Sequence, residues 1–260
     1  MFSIIIPVYN REWSIIRAID SAISFISNFN NGEIIIVDDC STDSSVTIIN
    51  KIIKNSNCNI KLIELKKNSG VNNARNTGCK ASVFDWILFL DSDDELIASS
   101  APRVEYFVKK YNKIPLHFFK CIDSKNNFIG RKFDESKTIN LNEILLKGTY
   151  GESLVVINRE CILKNPYYTE YNGFEGLLYI KIIDMYGAAK LNSIAVRKYH
   201  TEHDTRLSSV DGIKKRRYQL YSGYRFILFT YFKKLFFINK VYISIKTFYH
   251  LFLYIKSKFI

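Results

Sequence analysis

Trp86-Ile-Leu-Phe-Leu90-Asp91-Ser92-Asp93-Asp94-Glu95 is the stretch that decides the fold. An unbroken apolar run leads into a turn with four acids in five positions. A short continuous apolar run is the pattern of a strand covered on both faces, as in the parallel sheet of an α/β protein. Upstream the design recurs: a strand over Glu33–Val37 leads into Asp38-Asp39-Cys40-Ser41-Thr42-Asp43. Phe2–Val8, broken only by Ser3, is a further buried strand ending at Tyr9-Asn10.

Helical segments separate these strands. Glu12–Phe29 carries Trp13, Ile16, Ile19, Ile23 and Ile26 three or four apart, which predicts an amphipathic helix ended by Gly32. Ser41–Lys54 reads as a second helix capped by Ser41 or Thr42, Ile60–Leu65 as a strand, and Val71–Ser82 as a third helix. Such βαβα alternation implies a mostly parallel sheet with right-handed crossovers. Further on, Leu116–Ile122, Asn127–Phe133, Ser153–Ile157 and Leu191–Tyr199 read as strands. Asn140–Lys147 and Glu175–Tyr186 read as helices, the second stopped by Gly187. With no fixed-period repeat and no low-complexity linker, one α/β domain with a mixed sheet is expected.

Charge divides the 260 residues unevenly. From 213 to 260 there are eleven Lys or Arg, no Asp or Glu, and 15 of the 38 aromatic residues. Residues 1–212 hold 26 basic and 25 acidic side chains, so the net charge of +12 is almost entirely C-terminal. Five widely spaced cysteines without a CxxC pair disfavour a disulfide scaffold and a thiolate zinc site, and point to a reducing compartment. The first residues lack the basic start and small-residue cleavage site of a targeting segment. Every apolar run is too short, or too interrupted by Lys and Arg, to span a membrane.

In open α/β sheets ligands bind beyond the carboxyl ends of the strands, where this sequence twice places acids. Like charges packed in one turn require a cation or hydrogen-bond donors. Mg or Mn takes oxygen ligands, one or two carboxylates sufficing when a substrate phosphate completes the shell, and Asp91 and Asp93 are spaced to share one. The alternative is that these acids are helix caps and solvated loop charges. Asn68-Ser-Gly70 opens the helix bearing Arg75, whose free N–H groups and guanidinium suit a phosphate or nucleotide; equally, Arg75 could pair with a nearby Asp.

Taken together, Ile4-Ile-Ile-Pro7-Val8-Tyr9-Asn10, Val37-Asp-Asp39-Cys-Ser-Thr-Asp43, Asn68-x-Gly70-x-x-x-Ala74-Arg75-Asn76-x-Gly78 and Phe89-Leu-Asp91-Ser-Asp93-Asp94 resemble the family 2 glycosyltransferases of the GT-A fold. Cys40 stands where that family usually has Gly. The resemblance implies inverting transfer of a sugar from a nucleotide-diphosphate sugar, a UDP-sugar foremost, with a divalent metal (Mn or Mg) on the diphosphate. It implies that Pro7 and Tyr9 flank the nucleobase, that Asp39 hydrogen-bonds the base, that Arg75 lies against the nucleotide, and that Asp91, Ser92 and Asp93 form the donor turn, Asp93 with Asp91 holding the metal. The family's base is usually the Asp of a Glu-Asp pair; here Phe174-Glu175-Gly176 has Gly in its place, which leaves Glu175 as the candidate base and Glu152 as runner-up. A His near the end of the catalytic domain often approaches the diphosphate, and His203, followed by Arg206, is the candidate.

The expected organisation is a catalytic domain over 1–212, donor-binding over 1–98 and acceptor-binding over 99–212, followed by a helical basic and aromatic tail over 213–260. That tail suits the surface of an anionic membrane, against the alternatives of packing on a partner subunit or compositional drift. The acceptor expected is a lipid-linked saccharide of a bacterial surface polysaccharide such as capsule or O-antigen, at the cytoplasmic face of the plasma membrane. No nucleic-acid recognition motif is present. A sugar-phosphate nucleotidyltransferase would need a Gly-rich, basic loop after the first strand, where Pro7-Val-Tyr-Asn10 stands instead; a non-catalytic nucleotide-sugar binder is the remaining alternative.

Overall fold

A computed structural model describes residues 2–131, 133, 135–172, 174–200 and 216–257. The apolar runs become β1 (Phe2–Val8), β2 (Gly32–Asp38), β3 (Ile60–Glu64) and β4 (Trp86–Phe89), all parallel, in the order β3-β2-β1-β4. Beyond β4 the sheet turns mixed. β8 (Ser153–Asn158) runs antiparallel to both β4 and β6 (Leu116–Ile122), and β6 runs parallel to β9 (Ala189–Lys198). Two short strands, β5 (Glu95–Leu96) and β7 (Lys137–Ile139), pair antiparallel with β9. The expected α/β fold with a mixed sheet is present, its parallel pairs being the first four strands and β6 with β9.

Alternate residues of each strand serve opposite layers, as strand periodicity requires. Ile4, Ile6, Ile34, Ile36, Leu88 and Leu90 pack with α1 (Ile15–Ile26), α2 (Ser45–Asn55) and α4 (Ala101–Lys110). Ile5, Ile35, Val37, Ile87 and Phe89 face α3 (Val71–Ala81), α5 (Leu141–Lys147), α6 (Arg159–Lys164) and α7 (Gly176–Tyr186). Gly78 permits the closest of these approaches, since a Cβ there would lie 2.6 Å from Ile5 Cγ2.

Three local expectations are corrected. The buried stripe of α1 is Ile15, Ala18, Ile19, Ala22, Phe25 and Ile26, whereas Trp13 and Ile16 are exposed. Two overlapping stripes were available, and polar ties from Ser14 and Arg17 to the acidic turn set the rotation. α2 begins after Ser44, later than Ser41 or Thr42, because the side chains around its start bond across to the β1 loop instead. Among the described residues of Asn127–Phe133 there is no strand: Asn126 (φ +63°) and Gly130 (φ +96°) turn the chain, leaving one bridge, Ile122 to Phe128.

The basic C-terminal region folds as α8 (Arg217–Tyr231) and α9 (Phe237–Lys256), packed on each other and on the α3–α7 layer. Ile227, Tyr231, Leu235 and Ile243 join that core. Asn142 Oδ1 accepts from the Phe236 N–H (2.9 Å) and from Asn239 Nδ2, and Lys234 Nζ pairs with Asp184 at 2.7 Å. The region thus docks on its own chain rather than standing apart. Among the described residues, no helix is long and apolar enough to cross a membrane.

Candidate active site

The parallel register brings the ends of β1, β2 and β4 to one edge of the sheet. Val8 pairs with Asp38, and the Asp39 N–H donates to Val8 O at 2.8 Å. The turns after β1 and β2 are stitched together: the Asn10 N–H donates to Ser41 Oγ (2.9 Å), the Thr42 N–H to Asn10 Oδ1 (2.8 Å), and the Arg11 N–H to Ser45 Oγ (2.8 Å). Pro7 is buried within β1 and Tyr9 is exposed on the rim just beyond it.

Both acidic turns meet at α3. The buried Asp39 carboxylate accepts the Ser69 N–H (2.8 Å) and the Gly70 N–H (2.7 Å) at the helix entrance, where the macrodipole favours an anion. Burial pushes the Asp39 carboxyl above its ordinary range, partly offset by those two bonds. Five residues beyond Gly70, Arg75 donates to Asp91 Oδ1 (2.8 Å) and to Glu175 Oε1 (3.0 Å). The Phe89 and Tyr167 rings flank its guanidinium at 5.9 and 5.6 Å. So α3 links the end of β2, the end of β4 and the start of α7.

The same helix clamps the second half of the chain onto the first. Asn72 Nδ2 donates to Tyr168 O (2.7 Å), while Asn76 exchanges bonds with Tyr167, Nδ2 to O and N–H to Oδ1, both 2.9 Å. The Asn172 side chain crowds Gly70, where φ is +87°. These contacts hold the segment that ends at Glu175, the N-cap of α7. Gly176 has room for a side chain, its nearest non-neighbouring atom being Phe174 Cε2 at 3.7 Å from a built Cβ, so packing does not demand glycine beside Glu175.

Arg197 was not singled out by sequence. From β9 its buried guanidinium reaches Asp91 Oδ2 (3.0 Å), Asp94 Oδ2 (3.1 Å) and Glu152 Oε2 (3.4 Å), with Nε donating to Cys121 Sγ. The charge compensation expected of a cation is supplied within the protein by Arg75 and Arg197, and Asp91 is held by both. The two guanidiniums keep the Asp91 carboxyl below its ordinary range despite burial. Burial pushes Asp94 up to about 8, with Asp91 and Asp93 adding to the rise against the pull of Arg197. Asp93 is raised for the same reasons, burial first and Asp91 second.

Among the described residues no side chain hydrogen-bonds the Asp93 carboxylate. The backbone of its turn is fixed from α1, Ser14 Oγ donating to Ser92 O (2.8 Å) and Arg17 Nη2 to Asp93 O (2.7 Å). No cluster of three or more His, Cys, Asp or Glu is gathered to hold a metal among the described residues. One carboxylate without a side-chain hydrogen bond nonetheless fits a Mg- or Mn-type ion that takes its remaining oxygens from a diphosphate. His203 and Arg206 lie outside the described residues. His200 is described: its N–H donates to Asp94 Oδ1 (3.1 Å) and its ring sits 3.3 Å from Glu95 Oε2.

The sequence profile described as glycosyl transferase family 2 matches residues 3–161, more than half of the chain. The chain belongs to this family. Membership sets aside the nucleotidyl-transfer alternative. Among its relatives is the UDP-Glc:alpha-D-GlcNAc-diphosphoundecaprenol beta-1,3-glucosyltransferase WfaP of Escherichia coli, 30% identical over 205 residues, 78% of each chain. The chain spans just under two thirds of the length of two other relatives, 64% of a Haemophilus influenzae glycosyltransferase and 63% of Escherichia coli WfgD. Staphylococcus aureus TarS in complex with UDP-GlcNAc aligns with a TM-score of 0.70 at 19% identity, covering 87% of this chain and 66% of TarS. A Pyrobaculum calidifontis mannosyltransferase, solved with GDP-Man and Mn2+, aligns at 0.66 and 15% identity, covering 86% and 63%. At these identities the structures establish the GT-A fold of the family.

Cys40 now has a local explanation. Its φ is +66°, a left-handed conformation that glycine, the family's usual residue, enters without steric cost.

Proposed function

We propose that this chain transfers a sugar, with inversion, from a nucleotide-diphosphate sugar of the UDP class to a hydroxyl of a lipid-linked saccharide in surface-polysaccharide synthesis. The observation carrying the proposal is the convergence on α3 of two acidic strand ends and the start of α7, through Asp39, Arg75, Asp91 and Glu175. The names of the Escherichia coli relatives, which act on diphosphoundecaprenol-linked sugars, support the acceptor class. Residues 1–98 would bind the donor and 99–212 the acceptor, at the cytoplasmic face of a bacterial plasma membrane.

In this reading Pro7 and Tyr9 border the nucleobase and Asp39 fixes both the loop before α3 and the base. Asp93, with Asp91 nearby, would hold a divalent ion on the diphosphate; when bound, that ion stabilises the charge of the departing nucleoside diphosphate. Glu175 takes the acceptor proton, on the face opposite the leaving group as single-displacement inversion requires. In the unliganded protein Arg75 holds Glu175 in place. When the donor adds negative charge beside Arg75, the guanidinium is drawn toward it and the Glu175 carboxylate is released.

The test is UDP, GDP or dTDP release from a panel of nucleotide sugars by the purified chain with Mg or Mn, with and without an undecaprenyl-diphosphate-linked acceptor. Acceptor-stimulated release of one nucleotide supports the proposal. Absence of release and of donor binding across the panel overturns it. Binding without release would instead favour the non-catalytic binder, to which Gly176 in place of the usual Asp lends support.

A further inference from the structure

Helix α9 presents two distinct faces. One side, including Asn239, Ile243, Thr247 and His250, is buried against the rest of the chain. On the other, Phe237, Val241, Ile245, Phe248, Phe252 and Ile255 recur at steps of four, four, three, four and three, which aligns them along one stripe. All six are exposed, Phe237 at 81%, Phe248 at 69%, Phe252 at 64% and Ile245 at 62%. Phe232 and Phe236, in the connection leading into α9, are exposed as well. Soluble monomers rarely present a contiguous apolar surface of this extent unless something covers it.

Charge identifies the cover. At 100° per residue Lys240 and Lys246 fall on opposite flanks of the stripe, between its exposed and buried sides. Residues 213–260 contain no acid. A second copy of the chain would set these lysines against lysines. A surface of phosphate headgroups over acyl chains complements both features at once, the lysines meeting the headgroups and the rings entering below them. A spanning orientation conflicts with the lysines, whereas a helix of 20 residues, about 30 Å long, can lie flat along the stripe.

We propose that the Phe237–Ile255 stripe of α9 lies in the interface of an anionic phospholipid bilayer, parallel to its plane. The inference deepens the reading of a lipid-linked acceptor and rests on it for its role, placing the folded chain on the surface that carries that acceptor. It also assigns the contact to one face of one helix, the other face being committed to the protein core.

The test uses the full chain and sedimentation with vesicles of phosphatidylcholine alone or mixed with phosphatidylglycerol. At least tenfold tighter binding to the mixed vesicles is expected. The triple variant Ile245→Gln, Phe248→Gln, Phe252→Gln should bind them at least tenfold more weakly, with an unchanged melting curve and unchanged nucleotide release from the donor without lipid. The Lys240→Glu, Lys246→Glu variant should lose the preference for phosphatidylglycerol. Wild-type protein that stays in the supernatant with mixed vesicles overturns the inference, as does a triple variant that binds like wild type. A wild-type dimer that the triple variant converts to monomer also overturns it, showing that a second copy covers the stripe. Wild-type protein that releases nucleotide but does not bind vesicles defeats this inference alone; wild-type protein that binds vesicles but releases no nucleotide defeats the transferase reading alone.

Discussion

Arg197→Met should destabilise the protein by an amount that grows with pH. The guanidinium touches Asp91, Asp94 and Glu152, and its side chain is 5% exposed. Asp91 keeps Arg75 as a partner, and Glu152 is too exposed for its ion pair to contribute much. Asp94 is the group left stranded, its side chain 1% exposed. Because its folded pKa is raised to about 8, it is largely protonated at pH 7, and the variant there loses mainly charge-assisted hydrogen bonds, about 2 kcal/mol. The sign follows from linkage: an acid whose pKa is raised in the folded state contributes stability at low pH that is lost as pH climbs through the folded value. Wild-type protein stops losing stability from this source near pH 8, where Arg197 takes up the ionised Asp94. Without the guanidinium the Asp94 pKa lies higher still, so the variant keeps losing about 1.4 kcal/mol per pH unit beyond that point. At pH 9 the gap should reach about 3–4 kcal/mol, within the range for breaking a buried ion pair and equal to a fall in Tm of roughly 6–16 °C. Urea unfolding at pH 6, 7, 8 and 9, followed by far-UV circular dichroism, measures it. Adding Asp94→Asn should remove the pH-dependent part and leave the rest. A gap that is flat with pH, or one that Asp94→Asn does not flatten, would refute the assignment of Asp94 as the raised acid held by Arg197.

Cys40→Gly should stabilise by about 0.5–1 kcal/mol, the relief of a left-handed residue less the extra chain entropy of glycine in the unfolded state, read as a higher urea midpoint at constant m. Asp93→Asn should reduce nucleotide release at least 100-fold and leave the urea midpoint unchanged or slightly higher, since no described side chain bonds that carboxylate; chelating the divalent ion should reproduce the loss in wild type. Glu175→Gln should lower kcat by about 10²–10⁴ while Glu152→Gln lowers it less than tenfold, and the reverse order in steady-state assays would make Glu152 the base.

The donor half was legible because its signals are local. Buried parallel strands read as unbroken apolar runs, and β1, β2 and β4 fell within two residues of the expected limits. Strands β5 and β7, of two and three residues, carry no period, and they exist because β9 offers an edge to pair with. The rotation of α1 was equally hidden: two apolar stripes overlapped in its sequence, and the deciding contacts run from Ser14 and Arg17 to a turn 76 to 78 residues away. In the C-terminal region composition reported the exposed stripe of α9 but not its buried side, because Asn239, Thr247 and His250 on that side are polar and leave no apolar stripe to read. Gly223 is the clue that docking leaves, since a Cβ there would clash with the Phe174 ring.

At the site, the acids after β4 require a cation or hydrogen-bond donors, and Arg75 paired with a nearby Asp is one of the readings the sequence allowed. What the sequence around those four acids does not show is the second guanidinium, Arg197. Arg75 arrives from α3 and Arg197 from the far end of β9, more than 100 residues from Asp91. Their presence leaves room for the proposed ion, which Asp93 would hold. Asp91, Asp93, Asp94, Glu152 and Glu175 outnumber the two guanidiniums, and this excess of carboxyls adds to burial, the larger cause, in raising Asp93 and Asp94. Asp91 is thereby held from both sides, while Asp93, whose turn is pinned through its backbone, has no side-chain hydrogen bond to its carboxylate among the described residues. A turn held rigid by arginines with one carboxylate left over is a better receptor for a diphosphate-bound cation than a turn whose acids all point at an empty centre, because the fold then stands without the ligand.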